Sequence, residues 1–187
     1  MGIDVWEIIE ATATKPFGYL PFYPGPGLGE HCIPVDPYYL AWKSRLHGHS
    51  PRFIDLATEI NSAMLGHTVR KVSEYLNQHR LPLNDSSVYI IGVSYKPNVY
   101  DISESPALEV MSQLIKQGVS LTYHDLLVSR LDVSDEICNS QELSEIKLDR
   151  TNCIIILTNH SVLNYDLPAK YESELIDTRN SFTQQND

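Results

Sequence analysis

Positive charge is scarce in this sequence. Lys and Arg number 14 against 24 Asp and Glu, which leaves a formal net charge of −10 at pH 7. A protein that binds nucleic acid or an anionic membrane surface needs a basic patch that faces the phosphates. The charge balance therefore argues against both partners, whereas a small anionic ligand needs only a local cluster of basic side chains.

Cysteines and long apolar runs are also few. The three cysteines, Cys32, Cys138 and Cys153, lie far apart and show no metal-ligand spacing. An odd number of cysteines without a secretory signal is typical of the reducing cytoplasm. The apolar runs are too short to cross a bilayer. Hydrophobic residues still make up 42% of the 187 residues, which is enough for a folded core.

The dinucleotide fingerprint is missing, but a different glycine-rich loop is present. Residues 22–36 read FYPGPGLGEHCIPVD, and Glu30 stands where G-x-G-x-x-G requires its last glycine. The preceding segment is too rich in proline for a central strand. The glycines at alternate positions are Gly25, Gly27 and Gly29. Because glycine has no Cβ, the loop is predicted to form a backbone cradle for a ligand.

A cysteine ends this loop, and a carboxylate follows four residues later. Cys32 would attack a ligand in the cradle as a nucleophile. Asp36 would lie near enough to position water or to transfer protons. A lone cysteine is also commonly a small buried hydrophobe. Both interpretations of Cys32 stay open on the residues alone.

Two helix start signals lie in the first 50 residues. Asp4 opens a capping box and a short helix to about Thr14. Residues 36–37, aspartate then proline, predict the start of a second helix over 38–47 that stops at Gly48. Both helices are predicted from their ends rather than from a long apolar stripe.

A third start signal, Ser50 followed by proline, opens a long helix predicted to end near Arg80. At 1.5 Å per residue this helix would be about 40 Å long, longer than a compact domain of this size needs. It is therefore predicted to pack against a second copy of itself or against another domain, and a homodimer is the expected assembly. A proline-containing segment, 81–85, divides the chain into a helical segment, 1–80, and a C-terminal domain, 81–187.

The C-terminal domain alternates strands and helices. Strands are predicted at residues 88–93, 119–123, 153–157 and 175–176. Ser105 and Pro106 start a helix that ends before Gly118. This alternation predicts a parallel, Rossmann-like sheet. The fold class is therefore α/β, with a helical N-terminal segment and a long central helix.

Each predicted strand leads into polar residues, namely Lys96, residues 124–125, residues 158–160 and residues 177–179. Ligands of such sheets bind beyond the carboxyl ends of the strands. Lys96, Arg179 and the helix N-terminus at Ser105 would suit a phosphate. Ordinary solvated loops also explain polar strand ends, so that alternative stays open. His160 is interpreted as organising its turn rather than as a proton shuttle.

Several motifs follow one another in a characteristic order. They are GIDVWE from residue 2, the loop 24–36 with its HCIP core, RFI at 52 with EIN at 59, GVSYKP at 92, Asp101 with ESP at 104, LTNHS at 157 and DTRN at 177. Over nearly its whole length the chain resembles the UDP-glucose/GDP-mannose dehydrogenase family. The resemblance is closest to the branch that oxidises UDP-N-acetylhexosamines.

The resemblance implies a three-part architecture. It consists of an NAD-binding Rossmann domain, a central helical dimerisation region and a C-terminal Rossmann-like domain that holds UDP. This chain resembles the last two parts. The resemblance thus implies NAD as the cofactor, held by the rest of a longer protein or by a separate chain, and no cofactor or metal ligand is assigned here.

The resemblance also implies a reaction and its residues. A sugar 6-hydroxyl is oxidised twice to a carboxylate, with Cys32 capturing the intermediate aldehyde as a thiohemiacetal and Asp36 positioning or activating water. The implied contacts to the UDP-sugar are Phe22, Tyr23, Gly25, Gly27, Gly29, His31, Lys96 and Arg179.

Three positions depart from the family pattern. Glu30 replaces a glycine, and its carboxylate would crowd a tight backbone or repel a diphosphate. Ser103 replaces an arginine expected to reach the NAD pyrophosphate, and Leu126 replaces a proline. The first two departures support an alternative hypothesis, a non-catalytic relic that binds a UDP-sugar or serves in dimerisation.

Overall fold

The computed structural model describes residues 2–29 and 32–182. The helices are α1 (Val5–Ala13), α2 (Cys32–Leu46), α3 (Arg52–Gln78), α4 (Pro106–Lys116), α5 (Glu145–Leu148) and α6 (Asp166–Ala169), with a 3₁₀ turn at Glu172–Glu174. The strands are β1 (Ser87–Ile91), β2 (Ser120–His124), β3 (Arg130–Val133), β4 (Glu136–Asn139), β5 (Cys153–Ile156) and β6 (Leu175–Asp177). No helix of these described residues is long and apolar enough to cross a membrane.

Four strands form a parallel sheet in the order β2-β1-β5-β6, which confirms the predicted Rossmann-like α/β fold. Side chains alternate between the two faces of each strand. Val88 and Ile90 pack in a cluster with α3 and α4, whereas Tyr89 and Ile91 pack in a second cluster with α5. Helices therefore cover both faces of the sheet and leave its carboxyl edge to the loops.

The caps predicted for two helices are present. The Asp4 carboxylate accepts a hydrogen bond from the Trp6 N–H at 2.8 Å and begins α1. Ser105 Oγ accepts from the Ala107 N–H at 3.3 Å, and Pro106 is the first residue of α4. The start of α4 is thereby held at the carboxyl edge of the sheet, as the serine and proline predict.

The predicted start of the second helix is wrong. The helix α2 begins at Cys32 and takes Pro37 inside it. Proline at this depth removes one N–H, which would otherwise donate to the Ile33 carbonyl, so the helix loses a single hydrogen bond. Cys32 thus lies in the first turn of a helix rather than in the loop. Asp36, four residues on, lies on the same helix face.

The long helix α3 has two different environments. Its C-terminal half contributes Val69, Val72 and Leu76 to the core cluster on the sheet. Its N-terminal half exposes large apolar side chains, including 90% of Phe53 and 53% of Ile60. The helix therefore joins the sheet to a segment whose apolar surface has no cover within the described chain, and the division of the chain at residue 80 stays a prediction.

A short antiparallel hairpin was not predicted. Strands β3 and β4 pair through a two-residue turn, Ser134 and Asp135, whose φ angles of 55° and 65° are both positive. Such angles are typical of a type I′ hairpin turn. The buried Leu131 and Val133 alternate with exposed residues, so the signal was present but only four residues long.

Candidate functional site

The chain leaves β1 at Gly92, beside the end of the neighbouring strand β5. Gly92 has a φ of +77°, and a Cβ at this position would overlap the carbonyl oxygen of Thr158, just after β5. Glycine is therefore required both for the backbone angle and for the close approach. The residues that follow form a turn over the carboxyl edge of the sheet, called here the Lys96 turn (residues 94–98).

A buried carboxylate lies beneath the Lys96 turn. Asp125 follows β2 and is only 4% exposed. Its donors are the N–H groups of Val93, Ser94, Leu127 and Val128, at 2.8, 3.3, 2.8 and 3.0 Å, and the ring nitrogen Nε2 of His160 at 3.1 Å. Hydrogen bonds of this number satisfy a buried charge that would otherwise be costly.

These contacts determine the state of the His160 ring. An ionised carboxylate only accepts hydrogen bonds, so Nε2 carries a proton and donates it to Asp125. The Asn98 N–H donates to Nδ1 at 3.0 Å, so Nδ1 carries none. The ring is buried to 1% exposure and bonded at both nitrogens, and Nε2 also lies 3.3 Å from Ser94 Oγ. His160 therefore organises the Lys96 turn, across 62 residues of sequence.

The Asp125 carboxylate is expected to make the protein sensitive to acid. Burial raises its pKa, but hydrogen bonds from His160, Val93 and Leu127 outweigh burial and bring the pKa from 3.8 to about 2. Because the folded-state pKa is the lower one, its stabilisation is present above the unfolded-state pKa and is lost as the pH falls from 3.8 towards 2. The wild-type free energy of unfolding should fall by about 2 kcal/mol more than that of Asp125→Asn across this window. Urea titrations at several pH values measure this, and equal pH slopes would contradict it.

The glycine loop packs against the carboxyl edge of the sheet. A Cβ at Gly25 would overlap the guanidinium of Arg179, and one at Gly29 would lie 2.7 Å from Tyr95 Cβ and 3.3 Å from the Glu104 carbonyl. At Gly29 only glycine allows so close an approach, because Tyr95 Cβ and the Glu104 carbonyl are not the movable tip of a side chain. The loop is thus seated between β6 and the residues that lead into α4.

Arg179 is held in place by its own turn. Its Nε donates to the Leu157 carbonyl at 2.8 Å, and its N–H donates to Asp177 Oδ1 at 2.8 Å. Asp177 ends β6 and also accepts from the Ser181 N–H at 2.5 Å. Two neighbouring strand ends therefore aim the guanidinium at the glycine loop.

A cleft of about 890 Å³ opens beside the glycine loop. Gly27 and Leu28 line one side, and Glu104 to Pro106, at the N-terminus of α4, line the other. Its remaining walls are mainly apolar and come from the starts of α2 and α3. The cleft shares its rim with the predicted cradle, but Lys96 and Arg179 are not among its lining residues.

The other predicted residues lie around this edge. Cys32 and Asp36 are exposed on α2, and Lys96 is exposed with Nζ 5.0 Å from the centroid of the Tyr95 ring. Tyr23 stacks on Trp6 with ring centroids 5.6 Å apart, and Phe22 is 71% exposed. Two residues, Glu30 and His31, lie outside the described residues. Within residues 2–29 and 32–182, no group of three or more His, Cys, Asp or Glu is placed to hold a metal ion.

The site combines predicted and unpredicted parts. The structure brings Gly25 to Arg179 and Gly29 to Tyr95, the residue before Lys96, and the ligand contacts of these residues stay predictions. The buried Asp125–His160 pair was not predicted as a unit. Its signal was limited to two polar residues that end different strands, and only strand order shows that they meet.

The fold and the site define a class of protein. The model of the UDP-glucose/GDP-mannose dehydrogenase family, central domain, matches residues 1–63, and that of the same family's UDP binding domain matches residues 89–184. The chain belongs to the UDP-glucose/GDP-mannose dehydrogenase family, which confirms the resemblance seen in the motifs.

Individual relatives are nucleotide-sugar dehydrogenases. The chain is 32% identical to the UDP-N-acetyl-D-mannosamine dehydrogenase of Methanocaldococcus jannaschii, over 96% of this chain and 40% of that protein. It is 29% identical to the UDP-N-acetyl-D-glucosamine 6-dehydrogenase of Pseudomonas aeruginosa, over 73% and 32%. Its fold matches a UDP-D-ManNAc dehydrogenase structure from Pyrococcus horikoshii with a TM-score of 0.76 and 24% identity, over 96% and 41%. The chain thus spans between 32% and 41% of the length of these relatives.

Proposed function

We propose that this chain is the UDP-sugar-binding and catalytic-cysteine portion of an NAD-dependent dehydrogenase. The enzyme oxidises a UDP-N-acetylhexosamine to its uronic acid, a polysaccharide precursor, in the cytoplasm. One observation carries the proposal. The glycine loop is seated on Arg179 and on Tyr95, the residue before Lys96, and Ile33, the neighbour of Cys32, lines the cleft beside that loop.

The basic side chains at this edge suit a diphosphate. Lys96 is exposed on its turn, and the guanidinium of Arg179 lies under the glycine loop. The N-terminus of α4, capped by Ser105, adds the positive end of a helix dipole to the same edge. These groups favour an anionic ligand despite the net charge of −10.

Cys32 and Asp36 would divide the covalent chemistry. The Cys32 sulfur adds to the C6 aldehyde and forms a C–S bond as a thiohemiacetal, which becomes a thioester on the second oxidation. Water then attacks the thioester, releases the thiol and leaves the carboxylate. Asp36 lies one helical turn beyond Cys32 on the same face, where a carboxylate can orient that water.

The two oxidations would need two molecules of NAD⁺, each accepting one hydride, but the described residues do not fit a dinucleotide site. The glycine loop lacks the fingerprint spacing, and its backbone is already packed on Arg179, Tyr95 and Pro106. The cofactor would therefore be held by a domain outside these residues, in a longer chain or in a separate one.

Exposed apolar side chains support an additional interface. Helix α2 and the start of α3 expose Tyr38, Tyr39, Leu40, Trp42, Phe53, Leu56 and Ile60. Exposed apolar side chains of this size and number are unfavourable in water and commonly mark an interface. We assign this interface to a homodimer that forms through α3. Light scattering at micromolar concentration should then give twice the chain mass of 21.2 kDa, and a monomer mass would contradict the dimer.

Calorimetric titration with UDP-N-acetylglucosamine tests the proposed function, with UDP alone as the comparison ligand. Saturable binding is expected. Lys96→Ala should weaken it by about 10-fold or more, because a charge-assisted hydrogen bond to phosphate is lost. Lys116→Ala is the matched control, since that exposed lysine ends α4 at the opposite edge of the sheet. The absence of saturable binding would refute the UDP-sugar site.

A non-catalytic relic is the second candidate. Ser103 stands where the family motif has arginine, and its N–H donates to Asp101 Oδ1 at 2.8 Å within the loop before α4. On this hypothesis, mixing the chain with a purified NAD-binding domain gives no NADH absorbance under any condition. NADH formation by that mixture would exclude the relic.

A further inference from the structure

We infer that His160 is a positioning residue for Lys96, which it places through the backbone N–H of Asn98. This inference rests on the proposed function, in which Lys96 contacts the UDP-sugar. His160 itself touches no ligand, because both of its ring nitrogens are already bonded inside the protein and the residue is 1% exposed.

The Lys96 turn is held at both of its ends. At its start, the Ser94 N–H donates to Asp125 at 3.3 Å and the Ser94 carbonyl accepts from Thr158 Oγ1 at 2.6 Å. At its far end, the Asn98 N–H donates to His160 Nδ1 at 3.0 Å. Lys96 lies midway between these two anchors, so its backbone direction depends on both of them.

Further contacts close the turn around Lys96. The Lys96 carbonyl accepts from Ser94 Oγ at 3.1 Å. The Asn98 side chain exchanges hydrogen bonds of 2.9 and 3.0 Å with Ser161, and Asn98 has a φ of +64°. A non-glycine residue in this conformation persists only where its surroundings hold it. The His160 and Ser161 contacts supply that hold from the end of β5.

Asp125 in turn orients His160. The carboxylate is fixed by backbone N–H groups on both sides of it and accepts the Nε2 proton, which leaves Nδ1 free to accept from Asn98. Asp125 therefore orients His160, and His160 holds the Asn98 N–H. That hydrogen bond fixes the turn that presents Lys96. Lysine has a flexible side chain, so a fixed backbone is what limits where its ammonium group can reach.

Two substitutions separate the contact at Nδ1 from the contacts at Nε2, which are Asp125 and Ser94 Oγ. In His160→Asn the side-chain oxygen occupies the region of Nδ1 and can still accept from the Asn98 N–H. In His160→Gln the side-chain amide reaches the region of Nε2 and can still donate to Asp125, but the acceptor for Asn98 is lost. The expected dissociation constant for UDP rises by about 10-fold in His160→Gln and by less than about 3-fold in His160→Asn. Equal weakening by both would overturn the inference.

The effect must also depend on Lys96. In a Lys96→Ala background, His160→Gln is expected to weaken UDP binding no further, because the group that it positions is gone. A purely structural role would weaken binding equally in both backgrounds, and that result would overturn the inference.

Amide exchange at Asn98, measured by NMR without ligand, separates this inference from the proposed function. Slow exchange is expected in the unsubstituted chain and in His160→Asn, and fast exchange in His160→Gln. If that pattern appears while UDP does not bind, the proposed function fails and the placement of the turn by His160 stands. Fast exchange in the unsubstituted chain, a result that requires no variant to fold, would overturn the placement itself.

Discussion

Gly92→Ala is expected to lower the free energy of unfolding by about 2–5 kcal/mol. Two costs add at this position. An alanine at a φ of +77° costs about 1–2 kcal/mol, and overpacking against fixed atoms costs about 1–3 kcal/mol more. The atoms in the way are the Thr158 carbonyl and Cβ, which are held at the end of β5 and cannot rotate aside as the tip of a long side chain would.

Gly48→Ala is the matched control for this prediction. Gly48 has a similar φ of +79°, but a Cβ there meets no atom within 4 Å. Its substitution should therefore cost only the conformational part, about 1–2 kcal/mol. Urea unfolding followed by circular dichroism measures both variants. Equal losses in the free energy of unfolding of Gly92→Ala and Gly48→Ala would show that the close contact with Thr158 adds nothing to the cost.

Cys32→Ala is expected to lower formation of the uronic acid by at least about 100-fold when this chain is supplied with an NAD-binding domain. Without the thiol, the aldehyde is not held as a covalent intermediate and the second oxidation has no bound substrate. Calorimetry should show a UDP-sugar dissociation constant changed by less than about 3-fold, because the change deletes one sulfur atom. The split between turnover and binding distinguishes a nucleophile from a residue that only shapes the pocket.

Cys138→Ser is the control for the cysteine prediction. Cys138 lies half-buried on β4, and burial raises the pKa of its thiol. This substitution should leave formation of the uronic acid nearly unchanged. Retained activity in Cys32→Ala, or equal loss in the two variants, would remove Cys32 from the proposed chemistry.

Local signals predicted most of the regular elements. Asp4 and Ser105 cap the helices that they were predicted to cap, since a short polar side chain satisfies free N–H groups wherever a helix begins. Apolar runs predicted the four parallel strands for the same kind of reason. The start of α2 was predicted wrongly because an aspartate followed by proline resembles a cap, whereas a proline inside the helix costs only one hydrogen bond.

What the sequence alone determined is the family, the α/β class and the residue types at the candidate site. These follow from motif order, apolar periodicity and turn chemistry, which are all read within short windows of the chain. Only the tertiary structure decided how Asp125, His160 and the Lys96 turn meet, because they are separated by 35 and 62 residues. Strand order β2-β1-β5 sets the carboxyl ends of these strands side by side, and no local pattern in the chain encodes that neighbourhood.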